Sequence, residues 1–242
     1  MLKKIINKLR IMNNIINSAA FQKDLQINTY CNSLLNNLID DSYLPRTAMS
    51  LNSFALAYIL NEIIINRRNN IIEFGSGIST ILMAKLAYKK KLNIKITSID
   101  EDKEWIVELE DMLSKENLKN SVKFIHSPII NVNFKNENYL WYDEMKIANK
   151  CGSDKFDIII VDGPKTFEER KAAIRYHALN FMQNKLKNEY VVFLDDAKRK
   201  GEMQVLTKWK KEFDIKFEIY NNLAVAYKGK YFFSNPIQGT SY

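Results

Sequence analysis

The segment that most constrains this chain is Ile71-Ile72-Glu73-Phe74-Gly75-Ser76-Gly77-Ile78-Ser79-Thr80, an apolar run that ends in a glycine-bearing turn and passes into helix-forming residues. A short apolar run bounded by glycine reads as a buried strand, and glycines at its end let backbone amides approach a ligand closely. A dinucleotide-binding turn would carry a further glycine at position 80, where this chain has Thr80. The carboxylate of Glu73 repels a pyrophosphate and attracts a cationic ligand instead.

The rest of the chain repeats the theme. Apolar runs predict strands at Asn70 to Phe74, Ile94 to Ile99, Val122 to Ile125, Phe156 to Val161 and Tyr190 to Leu194. Amphipathic stretches predict helices at Ser79 to Lys89, Lys103 to Glu116, Phe167 to Asn184 and Gly201 to Glu212. Strands alternating with helices predict a parallel sheet wound with helices, an α/β fold. Lys216 to Tyr220 and Ala224 to Lys228 flank Asn221-Asn222; asparagine tolerates positive φ, so these read as a hairpin that places an antiparallel strand in an otherwise parallel, seven-stranded sheet. Asn131 to Ser153 is a polar, aromatic-bearing insertion of the kind that forms an active-site loop.

The N-terminal part is different. Phe21 to Arg68 is helical in pattern except near Tyr43-Leu44-Pro45-Arg46, where proline interrupts it, so residues 1–44 are expected to form a helical extension and residues 45–242 the main domain. Within Met1 to Ala20, Leu2, Ile5, Ile6, Leu9, Met12, Ile15 and Ile16 recur at helical spacing among Lys3, Lys4, Lys8 and Arg10. Such a helix packs on its own domain or a second subunit, or lies on a membrane surface. No stretch reaches the ~18 apolar residues needed to span a bilayer.

The net charge of +8 comes with lysine spread along the whole chain, so no dedicated nucleic-acid site is expected, and no Asn-Pro-Pro-Tyr or Asp-Pro-Pro-Tyr tetrapeptide occurs. Cys31 and Cys151 are too far apart to form a CxxC motif, and His126 and His177 are the only histidines. Zinc knuckles, disulfide frameworks and histidine-based metal or triad chemistry are therefore disfavoured, and a reducing, cytoplasmic compartment is expected.

Acidic residues close the later strands: Asp100 ends the second, Asp162 ends Phe156-Asp157-Ile158-Ile159-Ile160-Val161, and Asp195-Asp196 follow the next. Ligands in doubly wound sheets bind beyond the carboxyl ends of the strands, so these groups are expected to converge. Carboxylates brought together repel one another unless a cation joins them, and oxygen donors suit Mg²⁺.

In this order, Glu73-Phe74-Gly75-Ser76-Gly77, Asp100 and Phe156 to Pro164 resemble the successive motifs of class I S-adenosylmethionine-dependent methyltransferases, over roughly residues 45 to 228. The resemblance implies a Rossmann-like fold. It also implies that Glu73, Gly75 and Gly77, with Ser79 and Thr80 beside them, hold the methionine part of the donor, Asp100 the ribose, and His126 with Ser127 the adenine. The acids Asp162, Asp195 and Asp196 resemble the metal ligands of the catechol and macrocin types of O-methyltransferase. Lys165 falls where the catechol type carries its base, with Asp162 beside it, although Pro164 departs from the macrocin pattern. The implied reaction is O-methylation of a small molecule or saccharide, with Tyr139, Trp141 and Tyr142 as a substrate wall or a self-packing lid. Two alternatives stand: a nucleotide-dependent oxidoreductase, which Glu73 and Thr80 disfavour, and a non-catalytic binding protein that docks through residues 1–20.

Overall fold

A computed structural model describes residues 2–39, 43–135, 137–165 and 174–237, and for residues 2–15 and 17 it describes the backbone alone. The elements run α1 (Leu2–Ile39), α2 (Ser53–Ile65), β1 (Asn70–Phe74), α3 (Ile78–Lys90), β2 (Lys95–Asp100), α4 (Lys103–Lys115) and β3 (Val122–His126). They continue with β4 (Ile129–Phe134), β5 (Glu137–Tyr142), α5 (Glu144–Cys151), β6 (Phe156–Val161), α6 (His177–Met182), β7 (Leu186–Leu194), α7 (Lys200–Phe213), β8 (Glu218–Tyr220) and β9 (Leu223–Lys228).

The main sheet has seven strands in the order β3-β2-β1-β6-β7-β9-β8. β9 pairs antiparallel with both β7 and β8, and the other pairings are parallel. The mostly parallel sheet and its antiparallel last strand are thus as expected. The hairpin is made by Asn221 and Asn222 at φ 43° and 71°, the left-handed region that asparagine enters more readily than most side chains.

The strands carry apolar residues on both faces because helices cover both. Ile71, Ile158, Ile160, Val191 and Phe193 pack under α1, α2 and α3, where Cys31, Leu35 and Leu38 of α1 join the same core. Ile72, Phe74, Ile159, Val161, Val192 and Leu194 face the opposite layer with Trp141, Tyr142, Ile147 and Trp209. Asn52 caps α2 by accepting from the Ala55 amide at 2.9 Å, and Asp102 caps α4 by accepting from the Trp105 amide at 3.0 Å.

Three expectations change. The insertion at residues 131–153 is not a loop: β4 and β5 form an antiparallel hairpin and α5 follows it, since Val132, Phe134, Tyr139 and Trp141 alternate as strand residues do and Asp143 caps α5. Of the helix expected over Phe167 to Asn184, residues 167–173 lie outside the described residues, and over residues 174–184 short helical turns flank α6. β7 begins at Leu186, four residues before the expected start. Farther upstream, α1 is continuous through residue 20 and beyond, with Phe21 and Leu25 exposed. No helix among the described residues is long and apolar enough to cross a membrane.

Candidate active site

The site is assembled where β1 and β6 end side by side. The amides of Asp162 and Gly163 both donate to the Phe74 carbonyl, at 2.9 and 2.6 Å, and the Gly75 amide donates to the Ile99 carbonyl at 2.8 Å. These bonds press the two turns together. A Cβ on Gly75, whose φ is +95°, would lie 2.7 Å from the Gly163 nitrogen, and a Cβ on Gly163 would lie 2.4 Å from the Tyr142 hydroxyl. Only glycine fits either position.

Glu73 sits behind the turn. Strand alternation points it into the layer under α3, where it is fully buried and accepts hydrogen bonds from the hydroxyls of Ser79, at 2.7 Å, and Thr80. The Thr80 hydroxyl in turn accepts from the Gly77 amide at 3.1 Å. Glu73 therefore braces the start of α3 from within. Burial pushes its carboxyl up to about 7, against the hydroxyl bonds that favour the ionised form. Between its ordinary value of 4.5 and about 7 the folded protein holds a proton that the unfolded chain has released, so stability falls as pH rises through that window. Asp100 and Asp162, each pushed by burial to about 6, act in the same direction. Thermal melts from pH 5 to 8 should show this decline, and Glu73→Gln should make it shallower; an unchanged slope contradicts the assignment.

In front of the turn lies a cavity of about 290 Å³ lined by Gly75, Ser76, Gly77 and Ser79, by Asp100, Glu101, Asp102 and Trp105, by Asp162, Gly163 and Lys165, and by the segment preceding α2. That volume is at the low end of the range of ligand sites, ~300–1,000 Å³. Asp100 is held by the amides of Ser76 and Asp102, at 2.8 and 2.9 Å, and the Trp105 indole donates to the Ser76 carbonyl at 2.9 Å. Lys165 is half exposed, with its ammonium 3.9 Å from Asp102. The wall carries four carboxylates and one lysine, a field that attracts a cation and repels a pyrophosphate.

A second cavity of about 180 Å³ adjoins the first and shares Met49, Ser50 and Asp162 with it. Here Asp162, Asp195 and Asp196 bring carboxylate oxygens within 4.8 Å of one another. Asp195 is buried, and its Oδ1 has no hydrogen-bond partner among the described residues. Burial raises the Asp195 carboxyl well above its ordinary value, and the neighbouring acids add to the rise. Carboxylate oxygens gathered in this way are the donor set a hard divalent cation takes.

No protein-family model and no curated protein matches the sequence. Solved structures do. An O-methyltransferase from Bacillus cereus in complex with S-adenosylhomocysteine superposes with a TM-score of 0.55 at 13% identity, covering 88% of this chain and 91% of that one. The methyltransferase PaMTH1 of Podospora anserina, also bound to S-adenosylhomocysteine, gives 0.53 at 13% identity over 86% and 96%. The O-methyltransferase TomG of Streptomyces achromogenes, in complex with S-adenosylmethionine, gives 0.52 at 11% over 82% and 88%. The chain has the Rossmann-like methyltransferase fold.

On this methyltransferase fold the expected residues separate into two sets. Gly75, Gly77, Ser79, Asp100, Asp162 and Lys165 line the first cavity, and Asp162, Asp195 and Asp196 line the second. Glu73 and Thr80 stand behind the turn rather than in the cavity wall. His126 and Ser127 are not among the lining residues either: His126 pairs with Asp100 across the strands, and the Ser127 hydroxyl donates to the Asp143 carbonyl at 3.1 Å. Of the expected aromatic wall, Trp141 and Tyr142 are fully buried against Phe74, while Tyr139 packs on Tyr176 and His177, so the self-packing arrangement is the one adopted.

Sequence reasoning missed Trp105, although an aromatic residue in the first turn after a strand-terminal acid was there to be noticed. It also missed the roof over both cavities, Thr47 to Leu51, which Arg46 ties to Asn32 of α1 and Ser53 of α2 at 2.9 and 2.8 Å. Arg175 carried no local signal at all.

Proposed function

We propose that this protein is an S-adenosylmethionine-dependent methyltransferase acting on a hydroxyl of a small molecule or saccharide. The observation that carries the reading is the acid-lined cavity at the glycine turn, joined through Asp162 to a second, carboxylate-bearing cavity. When bound, S-adenosylmethionine supplies an electrophilic methyl group on a positively charged sulfur. Gly75 and Gly77 let the backbone come close to it, Asp100 accepts hydrogen bonds from ribose hydroxyls, and the carboxylates around the cavity favour its charge. Placing the acceptor in the adjoining cavity aligns an oxygen with the methyl group, and alignment is most of what such a transfer requires.

Asp162, Asp195 and Asp196 fit a divalent cation such as Mg²⁺ by donor type and by the unpartnered Asp195 oxygen; bound there, it would lower the pKa of an acceptor hydroxyl. Lys165 is the candidate base at its Nζ, with Asp162 beside the same space. The free, buried cysteines Cys31 and Cys151 agree with a cytoplasmic location. Residues 1–44 are proposed as an extension to the catalytic domain, with residues 1–20 available for self-association or peripheral membrane contact.

Calorimetry tests the central claim. S-adenosylhomocysteine and S-adenosylmethionine should bind the purified protein with micromolar affinity and NAD should not. NAD binding in their place would favour the oxidoreductase, and donor binding without turnover across a wide acceptor panel would favour a binding protein.

A further inference from the structure

We propose that Arg175 is the resident counter-cation of the acid cluster, a positioning residue that clamps the two strand ends carrying Asp162 and Asp195-Asp196. The cluster then keeps its geometry whether or not a divalent cation is present, an inference that rests on the reading of these acids as a cation site.

Arg175 lies just before α6 and is buried, with 3% of its surface exposed. One end of its guanidinium, Nη2, donates to the Asp162 carbonyl and lies 3.5 Å from Asp162 Oδ1. The other, Nη1, donates to the Asp195 carbonyl at 3.2 Å and lies 3.7 Å from both Asp196 Oδ2 and Glu202 Oε1. The two carbonyls terminate β6 and β7, adjacent parallel strands, so one planar fork bridges the sheet where the acids leave it. An ammonium group is a point charge and cannot span both strand ends in this way.

Among the described residues the charges around it do not balance. Asp162, Asp195, Asp196 and Glu202 face Arg175, and Arg199 adds a contact of 2.7 Å to Asp196. Among these described residues, four carboxylates against two guanidiniums leave two negative charges when all are ionised, which one divalent cation would neutralise. Asp195 Oδ1, which has no partner among the described residues, is an oxygen that Arg175 does not serve. Arg175 thus compensates part of the cluster and leaves the remainder to an ion. Removing the arginine leaves buried acids to repel one another and makes them a stronger cation site.

Full-length wild type, Arg175→Gln and Arg175→Lys would be melted in chelator and in millimolar Mg²⁺, with Mg²⁺ affinity measured by calorimetry. In chelator the Gln variant should melt well below wild type, Mg²⁺ should restore most of that loss, and its Mg²⁺ affinity should be at least about tenfold tighter, since the unit charge 3.5 Å from Asp162 and 3.7 Å from Asp196 has been removed. The Lys variant should respond to Mg²⁺ by an intermediate amount, and it carries the comparison should the Gln variant not fold in chelator. Binding of S-adenosylhomocysteine should return to near wild type once Mg²⁺ is present, because the cation then holds Asp162 in place of Arg175, which does not itself line the first cavity. An arginine needed only for packing would lower the melting temperature equally with and without Mg²⁺, and equal Mg²⁺ responses in all three proteins overturn the proposal. Mg²⁺ binding to the Gln variant but not to wild type would uphold Arg175 as the counter-cation and retire the metal-assisted part of the proposed function.

Discussion

Replacing Gly75 with alanine is expected to abolish binding of the methyl donor and to cost the fold about 3 kcal/mol, the scale of a residue forced into a disfavoured backbone region against a backbone neighbour. The new methyl would meet the Gly163 nitrogen at 2.7 Å while φ stays at +95°, so the β1 and β6 turns must separate. The first cavity is built on that contact. For a chain of this length the melting temperature should fall by about 6–12 °C. Thermal melts and calorimetry with S-adenosylhomocysteine check both parts; a variant that melts and binds like wild type would show that the close crossing is not what shapes the pocket. Ala in place of Gly77 is the internal control for stability alone, because a Cβ there meets nothing within 4 Å in the protein, while its place in the cavity wall means that donor binding should still weaken.

The second large effect separates the two cavities. Asp195→Asn should lower turnover by about 10²–10³-fold, the loss expected when a cation that stabilises developing charge is poorly held. Donor affinity should change by less than about threefold, since Asp195 lines the second cavity and not the first. Steady-state rates with an acceptor found from a panel, alongside calorimetry with S-adenosylhomocysteine, give both numbers. Wild type in chelator should fall to a similar rate. Equal rates in chelator and in Mg²⁺ would remove the cation from the mechanism while leaving methyl transfer itself standing.

The sheet was legible wherever burial on both faces left continuous β-branched runs, as in Phe156 to Val161, and where local chemistry forced a turn, as at Asn221-Asn222. The convergence of Asp100, Asp162 and Asp195-Asp196 was legible for a related reason: strand ends in a parallel sheet point the same way, so sequence position translates into spatial position. What failed depended on contacts between distant segments. Glu73 was correctly placed at the turn, but its side chain faces α3 because alternation and the hydroxyls of Ser79 and Thr80 decide its direction. Tyr139, Trp141 and Tyr142 carried aromatic area without stating which surface would receive it. Arg175 lay in a stretch that read as an ordinary helix, and only the folded strand ends give its guanidinium a purpose.

The placement of β9 has a consequence for how the chain is made. Residues 223–228 are synthesised after every other strand, yet they occupy an inner position between β7 and β8. Until they leave the ribosome, β7 presents an unpaired edge with Val191 to Leu194 uncovered, the kind of surface that recruits other chains. A nascent protein of this topology must wait for residues 223–228 before its sheet can close, and its exposure to aggregation is set by the interval between translation of Leu194 and that of Lys228.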